Sequence, residues 1–177
     1  ERGRGAMPNC AARPGSWRRG GFTALARFIA ARSSQSLSRP YVSTPDGIAR
    51  SRAEIGLLGE DLAAKWLARS GRKVLYRNFR APHGGEVDLV CRHKTALTFV
   101  EVKTRTSAAF GRPADAVGPD KQRLIQRGAL EWLRLLGRPK LKFRFDIVEV
   151  LLIEGEPPKL NVIENAFQMP ESSTAGR

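Results

Sequence analysis

Between residues 52 and 70 apolar side chains recur at helical spacing. Ile55, Leu58, Leu62 and Trp66 form one stripe, which predicts an amphipathic helix. Gly71 supplies its stop signal. Gly56 and Gly59 each lower helix propensity by about 1 kcal/mol relative to Ala, and the pattern predicts that they let the helix backbone approach a sheet. Beyond Gly71 the period drops to two. Strands are predicted over 73–79, 86–92 and 96–104, the first two joined through Pro82-His83-Gly84-Gly85. A loop rich in Gly, Ala and Pro (107–117) leads to Gly118-Pro119-Asp120, and Pro at the first helical position starts a second helix. Its apolar stripe is Ile125, Ala129, Trp132, Leu133 and Leu136, and Gly137 and Pro139 end it. Residues 141–153 read as a long strand and Lys159–Phe167 as a shorter one. This order predicts an α/β domain over residues 51–168: a mixed central sheet of about five strands flanked by helices.

The flanking segments have a different composition. Residues 1–50 hold nine Arg, no Lys and two acids (Glu1 and Asp46), and are rich in Ser, Gly, Ala and Pro. Such a segment buries too little apolar surface to offset its ordering entropy, so a basic, disordered leader is expected. Arg27 interrupts the mildly apolar 22–31 stretch, against a signal-peptide core. An Arg- and Ser-rich, acid-poor leader resembles an organelle transit peptide, the minor alternative to a cytoplasmic location. Residues 169–177 read as a polar tail. No apolar run approaches the roughly 20 residues of a membrane span. Two cysteines (Cys10 and Cys91) and two histidines argue against a disulfide framework or a zinc site.

The formal net charge of +14 favours a polyanionic partner. Arg outnumbers Lys, a skew that a GC-rich coding sequence produces without any functional cause. The sharper signal lies inside two strands. Alternation puts Glu86, Asp88 and Val90 on one face of the second strand. On the third it groups Leu97, Phe99, Glu101, Lys103 and Arg105 against Ala96, Thr98, Val100 and Val102. If these strands are antiparallel neighbours, Asp88, Glu101 and Lys103 converge. Burying such charges costs several kcal/mol unless they are paired or bind a metal. Structural ion pairs among Asp88, Glu101, Lys103 and Arg105 are the alternative to a site.

Gly85-Glu-Val-Asp88 and Phe99-Val-Glu-Val-Lys103 resemble the catalytic core of PD-(D/E)XK nucleases of the restriction-endonuclease-like superfamily. Val87 stands where the superfamily pattern has Pro, a variation that many members share. Further blocks are Gly56-Leu-Leu-Gly59-Glu60, Arg77-Asn-Phe-Arg80, Thr104-Arg105 and Lys121-Gln-Arg-Leu124. Together they resemble the small bacterial YraN-type family, itself similar to Holliday-junction resolvases, over residues 53 to 167. The resemblance implies a restriction-endonuclease-like fold and Mg2+-dependent hydrolysis of DNA phosphodiesters, branched structures included. Asp88 and Glu101 would ligate Mg2+, or another divalent ion such as Mn2+, with the Val102 carbonyl and Glu60 completing the set. Carboxylate oxygens suit a hard cation of that kind. Lys103 would orient the attacking water or stabilise the transition state. Lys121, Gln122, Arg123 and Arg105 would contact the nucleic acid, although a solvated basic face accounts for them nearly as well. Resolvase-like relatives often form dimers, which leaves a homodimer open. The competing reading is a nucleic-acid-binding module without turnover, because fold does not fix function.

Overall fold

The computed structural model describes residues 40–107 and 117–170. Seven elements follow in order: α1 (Arg52–Arg69), β1 (Lys73–Arg80), β2 (Glu86–His93), β3 (Ala96–Arg105), α2 (Pro119–Leu135), β4 (Lys142–Leu151) and β5 (Lys159–Phe167). The strands form one mixed sheet in the order β1-β2-β3-β4-β5. β3 and β4 are parallel and the other neighbours antiparallel. A parallel pair cannot be closed by a tight turn, and the crossover that joins β3 to β4 contains α2. The fold is the expected α/β arrangement and is compatible with a restriction-endonuclease-like core.

The helix ends follow from local chemistry. Ser51 caps α1: its hydroxyl accepts from the Glu54 N–H, and the Glu54 carboxylate accepts from the Ser51 N–H at 2.8 Å. At the other end Gly71 adopts φ +83°, and the next N–H, from Arg72, donates to the Leu67 carbonyl at 3.0 Å. That left-handed turn sends Arg72 back beneath the helix. α2 starts at Pro119 behind Gly118 and stops at Gly137, again at positive φ.

Each helix covers one face of the sheet. Ile55, Ala63, Ala64, Trp66 and Leu67 of α1 pack with Leu89, Cys91, Val100, Val102, Val148 and Val150. Ile125, Ala129 and Leu133 of α2 pack with Phe79, Val87, Val90, Phe99, Phe145 and Ile147. Each fully buried side chain of this size contributes roughly 1.5–3 kcal/mol. Leu136, expected on the α2 stripe, is exposed because the helix has already ended there.

The two α1 glycines differ. A Cβ on Gly59 would collide with the Thr104 side chain, so the α1 backbone rests directly on that side chain of β3. Gly56 meets nothing within 4 Å, so close approach is not its reason. Residues 40–50, grouped with the leader by composition, pack on the domain. Tyr41 and Val42 lie against the α1-side core. Glu154 accepts from the Val42 and Ser43 N–H groups at 2.9 and 3.1 Å. Residues 1–39 and 171–177 lie outside the described residues, as does most of the 107–117 loop. No helix among the described residues is long and apolar enough to cross a membrane.

Candidate active site

β2 and β3 pair from His93–Ala96 up to Leu89–Val100 and no further. The next residue on β2, Asp88, does not continue the ladder. Its carboxylate accepts instead from the Val102 N–H at 2.8 Å, standing in for a backbone acceptor. Side-chain alternation breaks at the same place. Val87 packs with Val90 on the α2 side, while Leu89 and Cys91 pack under α1. The expected common face for Glu86, Asp88 and Val90 therefore does not run through Asp88. β2 stays paired to β1 as far as Arg80–Glu86, so it leaves β3 without leaving the sheet.

Glu101 stands on β3 beside this opening and is 2 % exposed. Its Oε1 lies 2.9 Å from the Lys103 Nζ and 3.2 Å from the Lys121 Nζ. Its Oε2 is buried with no hydrogen-bond partner. Asp88 is 9 % exposed. Burial raises its carboxyl to about 7, assisted by the Glu101 charge and, more weakly, by Glu60; the Val102 N–H and Lys121 oppose the rise. The pair is thus two buried carboxylates in mutual repulsion, with one oxygen unpartnered and a lysine on either side of the other.

Lys121 sits in the first turn of α2 and also pairs with Glu86, which in turn pairs with Arg80. α2 reaches this position because Gly128 lies against the Glu86 backbone, where a Cβ would come within 2.9–3.0 Å. Among the residues expected at the site, the structure brings together Asp88, Glu101, Lys103 and the Val102 backbone. Glu60 lines a neighbouring cleft with Val102 and Thr104 and reaches Asp88 only as a more distant charge. The expected phosphate-binding trio diverges. Lys121 turns inward, Gln122 donates to the Val117 carbonyl at 2.9 Å, and Arg123 pairs with Asp120 on the surface. Arg105 lines the same cleft as Glu60.

Among the described residues no group of three or more His, Cys, Asp or Glu is gathered closely enough to hold a metal by itself. The donor set nevertheless fits one hard cation. Mg2+ is commonly held by one or two carboxylates and keeps several waters. The unpartnered Glu101 oxygen and the repulsion at Asp88 are the features a cation would relieve.

Sequence reasoning missed a second charged cluster, around Asp146 of β4, which is 0 % exposed. Arg72 donates to Asp146 at 2.6 Å and to Glu164 at 2.7 Å. Arg144 reaches Asp146 at 2.8 Å, Glu164 at 3.2 Å and the His93 Nδ1 at 2.9 Å. The Asn165 N–H donates to Asp146 at 3.0 Å. The available signal was an acid between Phe145 and Ile147 in an apolar strand, the same signal that marked Asp88 and Glu101.

Residues 59–150 match the family described as "Uncharacterised protein family UPF0102". The chain is 44% identical over 115 residues to a UPF0102 protein of Geobacter sulfurreducens, covering 65% of this chain and 89% of the relative. It is 43% identical over 113 residues to one of Rhodococcus jostii (64% and 95%), and 48% identical over 118 residues to one of Syntrophotalea carbinolica (67% and 94%).

Proposed function

The chain belongs to the UPF0102 family, and from that premise we propose that it is a Mg2+-dependent endonuclease that hydrolyses DNA phosphodiester bonds, branched DNA included. The observation that carries this reading is the Asp88–Glu101 pair, buried, mutually repelling and short of partners, with Lys103 and Lys121 on the same Glu101 oxygen. A purely structural ion cluster satisfies its oxygens, and this one leaves an oxygen bare.

Asp88, Glu101 and the Val102 carbonyl would hold the divalent ion, with Glu60 as a further carboxylate behind it. When bound, such an ion lowers the pKa of water and neutralises charge developing on a phosphate. The chain's own groups do the rest. The Val102 N–H fixes one Asp88 oxygen and so aims the other. Lys103 is half-buried on the strand that carries Glu101, placed to orient the attacking water or to meet the negative charge gathering on the phosphoryl oxygens. Lys121 approaches the same centre from α2. Water adds to phosphorus, one P–O ester bond breaks, and the leaving oxygen takes up a proton. Cutting both strands of a junction calls for two such sites, which a homodimer would supply.

The test is a cleavage panel of single-stranded, duplex and four-way DNA with and without Mg2+. Metal-dependent products are expected, and Asp88→Ala or Glu101→Ala should lower the rate by about 100-fold or more. Equal cleavage by wild type and Asp88→Ala, or no metal-dependent product from any substrate, would overturn the reading. DNA binding that survives in Asp88→Ala, with no cleavage by wild type, would favour the non-catalytic binding module.

A further inference from the structure

A cleft of about 400 Å³ opens beside the acidic pair on the α1 side of the sheet, lined among others by Arg50, Arg52, Arg105, Glu60, Val102 and Thr104. Three arginines and one carboxylate, Glu60, line this one space. Like charges brought together in this way repel, and an anion placed between them removes the repulsion. The nearby Glu54 carboxylate accepts from the Ser51 N–H and hydroxyl, both at 2.8 Å, and attracts Arg50 as well, so Arg50 is the most compensated of the three. Arg52 is exposed and has no ion-pair partner among the described residues.

The outer wall is built rather than accidental. Residues 43–49 form a tight loop, with Ser43 bridged to Ala49, the Arg50 N–H on the Val42 carbonyl at 2.9 Å, and Gly47 at φ +79°. Glu154, just beyond β4, pins this loop by two backbone hydrogen bonds. The Arg50 Nε donates to the Ser43 carbonyl at 3.1 Å, which ties this lining arginine to the loop that walls the cleft. Gly56 belongs to the same surface: it meets nothing within 4 Å and keeps the helix side of the cleft open.

We propose that the 40–50 strap and the start of α1 form a phosphodiester-binding track, in which Arg50, Arg52 and Arg105 hold the backbone of the nucleic acid as it leaves the Asp88–Glu101 centre. This rests on the nuclease reading and gives it a direction: the strand lies across the end of β3, with Lys103 and Lys121 on one side and the arginines on the other. Guanidinium groups suit phosphate because their forked donors match its oxygens. Contacts of this kind fix register and orientation without reading bases.

The experiment is a binding titration of a short fluorescein-labelled DNA, single-stranded and duplex, in EDTA so that no cleavage intervenes, over a series of salt concentrations. Arg52→Ala and Arg52→Glu change an exposed side chain and leave the fold intact, and Arg50→Lys keeps charge while losing the Ser43 contact. Arg52→Ala should weaken binding about fivefold and flatten the log K against log salt slope by about 0.9 on duplex and about 0.7 on single strands. Arg52→Glu should weaken it further, and Arg50→Lys should preserve the slope. Wild-type affinity and slope in both Arg52 variants would overturn the track while leaving cleavage by the wild type, and so the nuclease reading, untouched. Weakened binding by these variants in a protein that never cleaves would support the track and sink the enzyme. No DNA binding by the wild type would end both.

Discussion

Asp146 and the Asp88–Glu101 pair are buried carboxylates of one sheet, and they are treated in opposite ways. Asp146 opposes Val100 in the β3–β4 register, one residue from Glu101. It receives two arginines and a backbone N–H, and its neighbour Glu164 shares both arginines. Asp88 and Glu101 share one backbone N–H and two half-buried lysines, with one oxygen left bare. A charge that has been desolvated must be compensated by partners or it destabilises the fold. The first cluster is compensated internally and serves the structure. The second is left partly uncompensated, which makes sense if its remaining partner comes from outside.

The largest expected effect comes from breaking the satisfied end. Asp146→Ala would leave Arg72, 5 % exposed, and Arg144 with the partly exposed Glu164 as the carboxylate they still share. Removing one partner of a buried pair costs about 3–5 kcal/mol. The urea midpoint should fall accordingly, with the slope of the transition unchanged. A loss below about 1 kcal/mol would mean that the network contributes no more than surface ion pairs do.

At the other end the sign reverses. The Asp88 carboxyl titrates near 7 in the folded chain against 3.8 as its ordinary value, so between those limits the native state holds the extra proton. Stability from this group is therefore present at low pH and is lost as pH rises from about 4 to about 7. Asp88→Asn should stabilise the metal-free protein by roughly 1–3 kcal/mol above pH 7 and have no stabilising effect below 4. Mg2+ should raise the wild-type melting temperature most above pH 7, where the carboxylate is ionised, and should do little for Asp88→Asn. A variant less stable than wild type above pH 7 without metal would place Asp88 with Asp146, as a structural group.

How far the sequence could take this contrast depends on what periodicity encodes. The helix positions were legible because the stripes at Ile55–Trp66 and Ile125–Leu133 mark the faces that meet the sheet, although Leu58 and Leu62 are only partly buried, and β3 was legible as an apolar run, buried on both faces from Ala96 to Val102. An acid inside an apolar strand was legible too, but that signal is the same for Asp88, Glu101 and Asp146. Whether the acid is satisfied depends on residues far away in the chain. Arg72 meets Asp146 because Gly71 turns the chain after α1, a contact spanning 74 residues that no local pattern contains. Lys121 illustrates the same limit. A lysine in the first turn of a helix reads as a surface phosphate contact, and only the close seating of Gly128 on Glu86 aims it at Glu101. The break in alternation at Asp88 was invisible for a different reason: period two assumes an unbroken ladder, and Asp88 ends the ladder by putting its side chain in the place of a backbone acceptor.

The smallest expected effect is also the one that separates the two ends by pH alone. His93 closes the Asp146 cluster at the β2–β3 turn, and its Nδ1 faces Arg144 at 2.9 Å. Arginine only donates, so Nδ1 must accept, and the imidazole is neutral in this arrangement. Burial and the charges of Arg72 and Arg144 hold its pKa below the ordinary 6.5, against a weaker opposing pull from Glu164. The unfolded chain therefore binds the proton first as pH falls below 6.5, and this end of the molecule loses stability on acidification. The acidic pair loses it on alkalinisation, so the two slopes oppose each other just below 6.5. His93→Gln keeps an acceptor for Arg144 and removes the titration. In an Asp88→Asn background, where the fall towards 7 is gone, stability should decline immediately below 6.5, and adding His93→Gln should abolish that decline. A decline below 6.5 that persists in His93→Gln would assign it to the carboxylates of the network instead.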